Sequence, residues 1–168
     1  LSSLGDVFIN DAFGCCHRSH SSIIGINIKE RYLGFIVEKE LKYLNIFNMV
    51  KGEKSLILGG SKVVDKIPLI KNLIDKVDNI FIGGGMVFAF LYHKNISIGN
   101  SILDKESLKY IDEIYALADK HNTNIILPVD FKCNNNFSNT GDIINVDIKQ
   151  GIPDNYMGLD IGKKTIKL

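Results

Sequence analysis

Two short apolar segments of this chain each end in a cluster of glycines. Residues 56–58 run into a Gly-Gly pair at 59–60, and residues 80–82 run into three glycines at 83–85. Glycine lets a backbone approach a ligand closely, and a helix that follows such a turn presents free N–H groups and the positive end of its dipole. The pattern therefore predicts strand–turn–helix units whose turns can bind an anion.

Two lysines follow the first glycine pair. Lys62 and Lys66 are four residues apart, so on the first turns of a helix both ammonium groups would project from one face. The spacing is neither that of a P-loop nor that of the G-x-G-x-x-G dinucleotide fingerprint. The glycine turn alone favours phosphate binding and ordinary α/β packing about equally. The alternative interpretation of the lysines is that they are solvated helix residues.

Composition narrows the class of protein. The chain has 168 residues, of which 45% are hydrophobic and 23% charged, as in a globular domain. A net charge of +1 argues against a broad basic face for nucleic acid, and no apolar run approaches the ~20 residues that span a bilayer. Three cysteines, two of them adjacent, indicate a reducing compartment. We interpret Cys15 and Cys16 as small buried thiols, with a reactive vicinal pair as the alternative.

Apolar periodicity predicts alternating strands and helices. We expect strands at 7–9, 55–58, 80–82, 124–127 and 142–146, and helices at 30–47, 65–77, 85–92 and 105–121. Strands separated by helices need crossover connections, so the sheet should be mainly parallel, with ligands at its carboxyl edge.

Five blocks of sequence resemble the phosphoglycerate kinase family, in the family's order and over essentially the whole chain: residues 6–20, 59–66, 83–88, 127–130 and 152–162. The resemblance implies a partial phosphoglycerate kinase fold, a three-layer αβα arrangement with a mainly parallel Rossmann-like sheet. It also implies an internal fragment that begins mid-protein. Residues 1–29 would end an amino-terminal substrate-binding domain, 30–53 would be an interdomain helix, and 54–168 would begin the nucleotide-binding domain.

The resemblance further implies the activity of the intact parent, which is reversible phosphoryl transfer between 1,3-bisphosphoglycerate with ADP and 3-phosphoglycerate with ATP in glycolysis. Mg²⁺ would accompany the nucleotide as MgATP or MgADP. The parent would be a monomer of the cytoplasm, or of an organelle, with no nucleic-acid or membrane partner. The fragment alone would be inactive, because the family's amino-terminal basic patch and carboxy-terminal acidic ligand are missing.

The same resemblance assigns roles to individual residues. Lys62 and Arg18 would be catalytic, with Lys62 following the transferred group and Arg18 binding 3-phosphoglycerate. The nucleotide would contact Gly60, Ser61, Lys62, Lys66, Gly84, Gly85, Gly158, Leu159 and Phe137. Asp65 would lie in the second shell of the magnesium.

Three alternatives stay open for these residues. Arg18 could instead pair with Asp11 or face solvent, and Phe137 could belong to the core. His17 and His20 are three residues apart, a spacing that could suggest a metal site, but no third or fourth metal ligand is in range. The sequence departs from the usual family pattern at four positions: Cys15 and Cys16 stand where the family usually has Thr and Ala, Ser61 where it has Ala, and Lys163 where it has proline.

Two other functions compete with the kinase. One is a nucleotide-binding module that keeps the fold without the reaction. The other is a dinucleotide oxidoreductase, which would need G-x-G-x-x-G and a ribose-binding acid about 20 residues further on. The sequence has neither in that arrangement.

Overall fold

The computed structural model describes residues 1–49, 51–138 and 140–168. It divides into two compact units, Leu1–Gly52 and Glu53–Leu168. The assignment of residues 1–29, 30–53 and 54–168 to parts of two domains stays a prediction. In the described ranges no helix is both long and apolar enough to cross a membrane.

The first unit is built on a two-stranded parallel sheet. Strand β1 (Val7–Asn10) pairs with β2 (Glu30–Leu33), and helix α1 (Phe35–Met49) follows directly. The predicted start of this helix at residue 30 is wrong. Residues 30–33 are extended because each of them pairs with a residue of β1.

An aspartate fixes where α1 begins. The Asp11 carboxylate accepts hydrogen bonds from the backbone N–H groups of Ile36 and Val37, at 2.7 and 3.1 Å. These amides have no partner within the helix, and a carboxylate satisfies them as an N-cap does. Gly34 leaves the room for it, since a Cβ there would lie 2.3 Å from the Asp11 side chain.

The second unit contains the predicted parallel sheet. Its strands lie in the order β3 (Ser55–Leu58), β4 (Asn79–Ile82) and β5 (Asn124–Ile126), all parallel and within one residue of the predicted bounds. The connecting helices are α2 (Ile67–Leu73), α3 (Val87–His93) and α4 (Leu108–His121). Helix α4 contacts both α2 and α3.

The core of this unit lies between the sheet and these helices. Ile70 of α2, Ile80 of β4, Phe90 of α3 and Ile111 and Ile114 of α4 are fully buried. Ile111, Ile114 and Ala118 are spaced three and four apart and form the buried face of α4, as the apolar periodicity predicts.

A separate antiparallel sheet completes the second unit. Strand β6 (Asp130–Asn134) lies between β7 (Ile143–Asp147) and β8 (Met157–Ile161), with both pairings antiparallel. The sequence predicts β7 but neither of the other two strands. Asp130, Lys132 and Asn134 interrupt the apolar pattern of β6, so it lacks the signal of a buried strand.

Candidate functional site

Two glycine turns meet at the carboxyl ends of β3 and β4. The Gly83 N–H donates to the Leu58 carbonyl and the Met86 N–H donates to the Gly60 carbonyl, both at 2.7 Å. Gly60 and Gly84 have φ angles of +136° and +61°, which side chains disfavour. A Cβ at Gly84 would also lie 2.7 Å from the Gly60 nitrogen. The two turns therefore form one backbone-lined surface.

The predicted lysines follow this surface but do not share a helix face. Lys62 is exposed in the loop, and Lys66 ends a single 3-10 turn (Val64–Lys66) before α2 begins at Ile67. The condition for one shared helical face is therefore not met, because Lys62 lies in irregular chain and the α-helix begins only after Lys66. The Lys66 Cε lies 3.9 Å from the point where a Cβ on Gly60 would be.

Both lysines are available to an anion. In residues 1–49, 51–138 and 140–168 neither Lys62 nor Lys66 has an ion-pair partner. Asp65, between them, is exposed. Two unneutralised ammonium groups next to glycine amides at a sheet edge form a site that suits phosphate groups.

A pocket of about 330 Å³ opens beside the glycine turns. It brings together six of the residues predicted to bind nucleotide: Ser61, Gly84, Gly85, Phe137, Gly158 and Leu159. Gly60, Lys62 and Lys66 are not in its lining, so the lysines flank the pocket. A volume in this range suits a small organic ligand.

The pocket is shaped by aromatic rings that contact glycine. A Cβ on Gly158 would lie 2.7 Å from the Phe88 ring, whose centroid is 5.5 Å from that of Phe131. The Gly158 N–H donates to the buried Ser101 hydroxyl at 2.9 Å, which holds the strand against this ring. Apolar rings next to bare backbone favour a flat, partly apolar ligand group.

Phe137 lies at the rim of this pocket. Its side chain is 83% exposed, so the alternative that it packs in the core is wrong. An exposed aromatic ring beside a pocket is free to cover a ligand group.

Arg18 lies in the first unit, after a 3-10 turn (Phe13–Cys15). Its N–H donates to the Cys15 carbonyl at 2.9 Å, and the residue is exposed. Asp11 caps α1 instead of pairing with it, so that alternative is wrong. In the part of the chain that the structure describes, the guanidinium has no carboxylate partner, which leaves its donor fork open to an anion.

Comparison with known proteins identifies the family. The sequence profile of phosphoglycerate kinase matches residues 1–168. The chain belongs to the phosphoglycerate kinase family. It is 45% identical to a phosphoglycerate kinase of Drosophila melanogaster over 170 residues, which cover 100% of this chain and 41% of that protein. It is 47% identical to a phosphoglycerate kinase of Paramecium primaurelia over 167 residues, which cover 98% of this chain and 46% of that protein.

Solved phosphoglycerate kinase structures confirm the predicted α/β fold class. The phosphoglycerate kinase of Coxiella burnetii superposes with a TM-score of 0.86 at 30% identity, covering 98% of this chain and 43% of that one. That of Pyrococcus horikoshii gives a TM-score of 0.79 at 28% identity. The chain thus spans less than half the length of these relatives.

The sequence does not predict five residues of the pocket: Phe88, Ile102, Phe131, Asp160 and Ile161. Phe88, Asp160 and Ile161 lie inside the blocks that carry the family resemblance, so their signal was present. Ile102 comes from an irregular loop and has no local signal. Phe131 belongs to the strand whose apolar pattern is interrupted.

The cysteines differ from their predicted state. Cys15 and Cys16 are both exposed, so their interpretation as buried thiols is wrong, because the turn that carries them lies on the surface. Cys133 of β6 is buried, and burial raises its pKa to about 11. In the described ranges no group of three or more His, Cys, Asp or Glu residues could hold a metal ion.

Proposed function

We propose that these 168 residues are part of a phosphoglycerate kinase that transfers a phosphoryl group reversibly between 1,3-bisphosphoglycerate with MgADP and 3-phosphoglycerate with MgATP in glycolysis. The observation that carries the proposal is the convergence of six predicted nucleotide-binding residues on one pocket. Beside it lie Lys62 and Lys66, which have no ion-pair partner among the residues that the structure describes. Membership of the family supports it.

On the nucleotide side, the adenosine group would occupy the pocket between Gly84, Gly85 and the strand that carries Gly158 and Leu159, with Phe137 at the rim. The absence of side chains at the glycines favours close contact with a flat base. The phosphates would then reach the turn at Gly60 and Ser61. Lys66, whose side chain lies over Gly60, would bind them.

Lys62 would follow the phosphoryl group during transfer. Catalysis of this reaction depends mainly on positioning and on neutralising the charge of the equatorial oxygens. An exposed lysine on an irregular loop can move with the group and bind the transition state more strongly than either ground state. This supports Lys62 as the catalytic lysine and Lys66 as the ground-state ligand.

Arg18 would bind the three-carbon substrate. A guanidinium with an open donor fork forms bidentate bonds to a phosphate or carboxylate, and 3-phosphoglycerate carries both groups. The phosphoryl acceptor and the nucleotide would thus be held by residues of different units of the chain.

Magnesium would arrive with the nucleotide as part of the substrate. Mg²⁺ keeps several waters and takes few protein ligands in nucleotide sites, and the described residues offer no protein-only cluster. The exposed Asp65 carboxylate would bind the ion through water.

We further propose that the complete protein is a monomer of the cytoplasm, or of an organelle, without nucleic-acid or membrane partners. A net charge of +1 supports the absence of a nucleic-acid partner. Free cysteines support a reducing compartment.

The test compares Lys62→Ala with Lys66→Ala in the complete protein by a coupled kinase assay. Because the charge of Lys62 is used mainly at the transition state, we expect its loss to lower kcat by roughly 10²–10³-fold. Lys66→Ala should chiefly raise the KM for MgADP. An unchanged kcat with a raised KM in Lys62→Ala would exchange the roles of the two lysines.

Assays of the unmodified protein distinguish the proposed kinase from a nucleotide-binding module without catalytic activity. The proposed kinase turns over in the coupled assay, whereas the module binds MgADP without turnover. We expect the 168-residue chain alone to bind MgADP weakly and to have no turnover, since lost positioning can contribute ~7 kcal/mol or more to the barrier. Calorimetric titration beside the assay measures both properties.

A further inference from the structure

Asp130, the first residue of β6, carries a buried carboxylate that faces the turn after β8. One of its oxygens accepts from the Thr165 N–H at 2.8 Å and from the Thr165 hydroxyl at 2.6 Å. The other accepts from the Lys164 N–H at 3.0 Å. The residue is only 7% exposed. Among the described residues, every hydrogen bond of its carboxylate comes from this one turn.

The contact is reciprocal. The Thr165 hydroxyl oxygen accepts from the N–H groups of Val129 and Asp130, at 3.0 and 3.2 Å. The Gly162 N–H donates to the Asp130 carbonyl at 2.9 Å. The start of β6 and the end of β8 are therefore held together by side chains as well as by the backbone ladder.

Gly162 leaves the space for this carboxylate. A Cβ there would lie 2.2 Å from an Asp130 oxygen, so any side chain would displace it. Burial acts to raise the pKa of Asp130, but the hydrogen bonds from Thr165 and Lys164 outweigh it and hold the pKa below its ordinary value. The carboxylate is thus charged at neutral pH, and charged acceptors form the stronger hydrogen bonds.

The contact lies directly beside the pocket. Phe131, which follows Asp130, lines the pocket, as do Asp160 and Ile161, which precede Gly162. Phe131 and Ile161 are register partners in the antiparallel sheet. Asp130 itself is not in the lining, so it can act on a ligand only through its neighbours.

We propose that Asp130 is a positioning residue for the pocket: by binding the turn at Gly162–Thr165 it fixes the wall formed by residues 158–161 against Phe131. The ligand of this wall is the nucleotide, so the inference rests on the proposed function. The wall contacts the adenosine group, which does not change during transfer. Loss of the contact therefore weakens nucleotide binding and leaves the chemical step intact.

The test uses Thr165→Val and Thr165→Ser in the complete protein. Valine keeps the shape and removes the hydroxyl, whereas serine keeps the hydroxyl. We expect Thr165→Val to weaken MgADP binding in calorimetric titration by about tenfold, because it removes a hydrogen bond to the charged Asp130 carboxylate and the acceptor of the Val129 and Asp130 N–H groups. Its kcat at saturating substrates should change less than about twofold, and Thr165→Ser should bind as the unmodified protein does.

Two further variants separate positioning from general damage. Gly162→Ala should displace the same carboxylate and reproduce the weakened binding without touching Thr165. Asp147→Asn is the matched control. Asp147 ends the neighbouring strand β7 and pairs with the Lys164 ammonium at 2.7 Å, and its replacement removes this ion pair while leaving every bond of the Asp130 carboxylate in place. It should bind MgADP normally.

Amide hydrogen exchange provides a readout that needs no nucleotide. Thr165→Val should speed exchange within residues 158–161 and leave that of α4 unchanged. Equal MgADP affinity in Thr165→Val and the unmodified protein would overturn the inference alone. An unmodified protein that does not bind MgADP would overturn the proposed function and the inference together.

Discussion

The two units of this chain both contain parallel strands and helices, but they differ in how far their apolar side chains are buried. In the second unit the strands and helices enclose fully buried side chains such as Ile80 and Phe90. In the first, the buried apolar side chains of the described residues are Ile26 and Val37, while Phe35 and Ile9 are 87% and 60% exposed. A parallel sheet needs cover on both faces, and two strands with one helix cannot provide it. The apolar residues of a segment therefore indicate that other elements should pack over it, but they do not show that such elements are present in the same unit.

The largest expected effect is on the core of the second unit. Phe90→Ala should lower the free energy of unfolding by about 3–5 kcal/mol, because it removes a fully buried ring that packs edge-on against Tyr115. Urea unfolding of the 168-residue chain measures this. The control is Phe35→Ala in the first unit, where a cost below about 0.5 kcal/mol is expected. Equal costs would mean that Phe35 is covered in solution and would break the comparison.

Thiol chemistry gives the next largest contrast. Cys133, with a pKa of about 11, has roughly a hundredth of the thiolate of an ordinary thiol at pH 8. Iodoacetamide followed by mass spectrometry should label the exposed Cys15 and Cys16 at least about a hundredfold faster. Since the thiolate fraction rises with pH up to the pKa, labelling of Cys133 should increase about tenfold per pH unit until pH 11. Equal labelling at pH 8 would show that β6 opens.

The third prediction asks whether the exposed first unit contributes to substrate binding. Arg18→Ala should weaken the apparent affinity for 3-phosphoglycerate by roughly ten- to a hundredfold, the loss of a charge-assisted hydrogen bond worth about 1.5 to 3 kcal/mol. Kinetics with varied 3-phosphoglycerate at saturating MgATP measure it in the complete protein.

Arg31→Ala is the matched control for this measurement. Arg31 already bonds the Ile23 carbonyl at 3.2 Å and lies over the Phe8 ring at 5.4 Å. Its removal should leave the KM for 3-phosphoglycerate unchanged. If Arg18→Ala altered the KM values of both substrates equally, a direct contact with the three-carbon substrate would be ruled out.

The smallest effect concerns local order in the first unit. Asp11→Ala should lower the free energy of unfolding by about 1 kcal/mol, because two amides at the start of α1 lose their acceptor. The exposed Asp6, which makes no such bond within the described part of the chain, offers the control. Faster hydrogen exchange at Val37 in Asp11→Ala, but not in Asp6→Ala, would support the cap. No difference between the two variants would argue against it.

The sequence predicts those parts of the molecule that local chemistry decides. The strands of the parallel sheet and the glycine turns carry their own signals, and six pocket residues follow from the family resemblance. The start of α1 was missed because a distant strand pairs with residues 30–33. Strand β6 of the antiparallel sheet is not predicted because Asp130 is polar yet buried, and its bonds to a turn more than thirty residues away explain that burial.

The contact between the two glycine turns also limits how this site can change over generations. A side chain at Gly84 would meet both an unfavourable backbone angle and the Gly60 backbone, so a substitution at Gly84 cannot be accommodated unless the turn at Gly60 also moves. The two turns are more than twenty residues apart in the sequence, so Gly84 is constrained by a turn that is distant from it along the chain. Recombination that exchanges one without the other would bring together surfaces that have not been selected to fit.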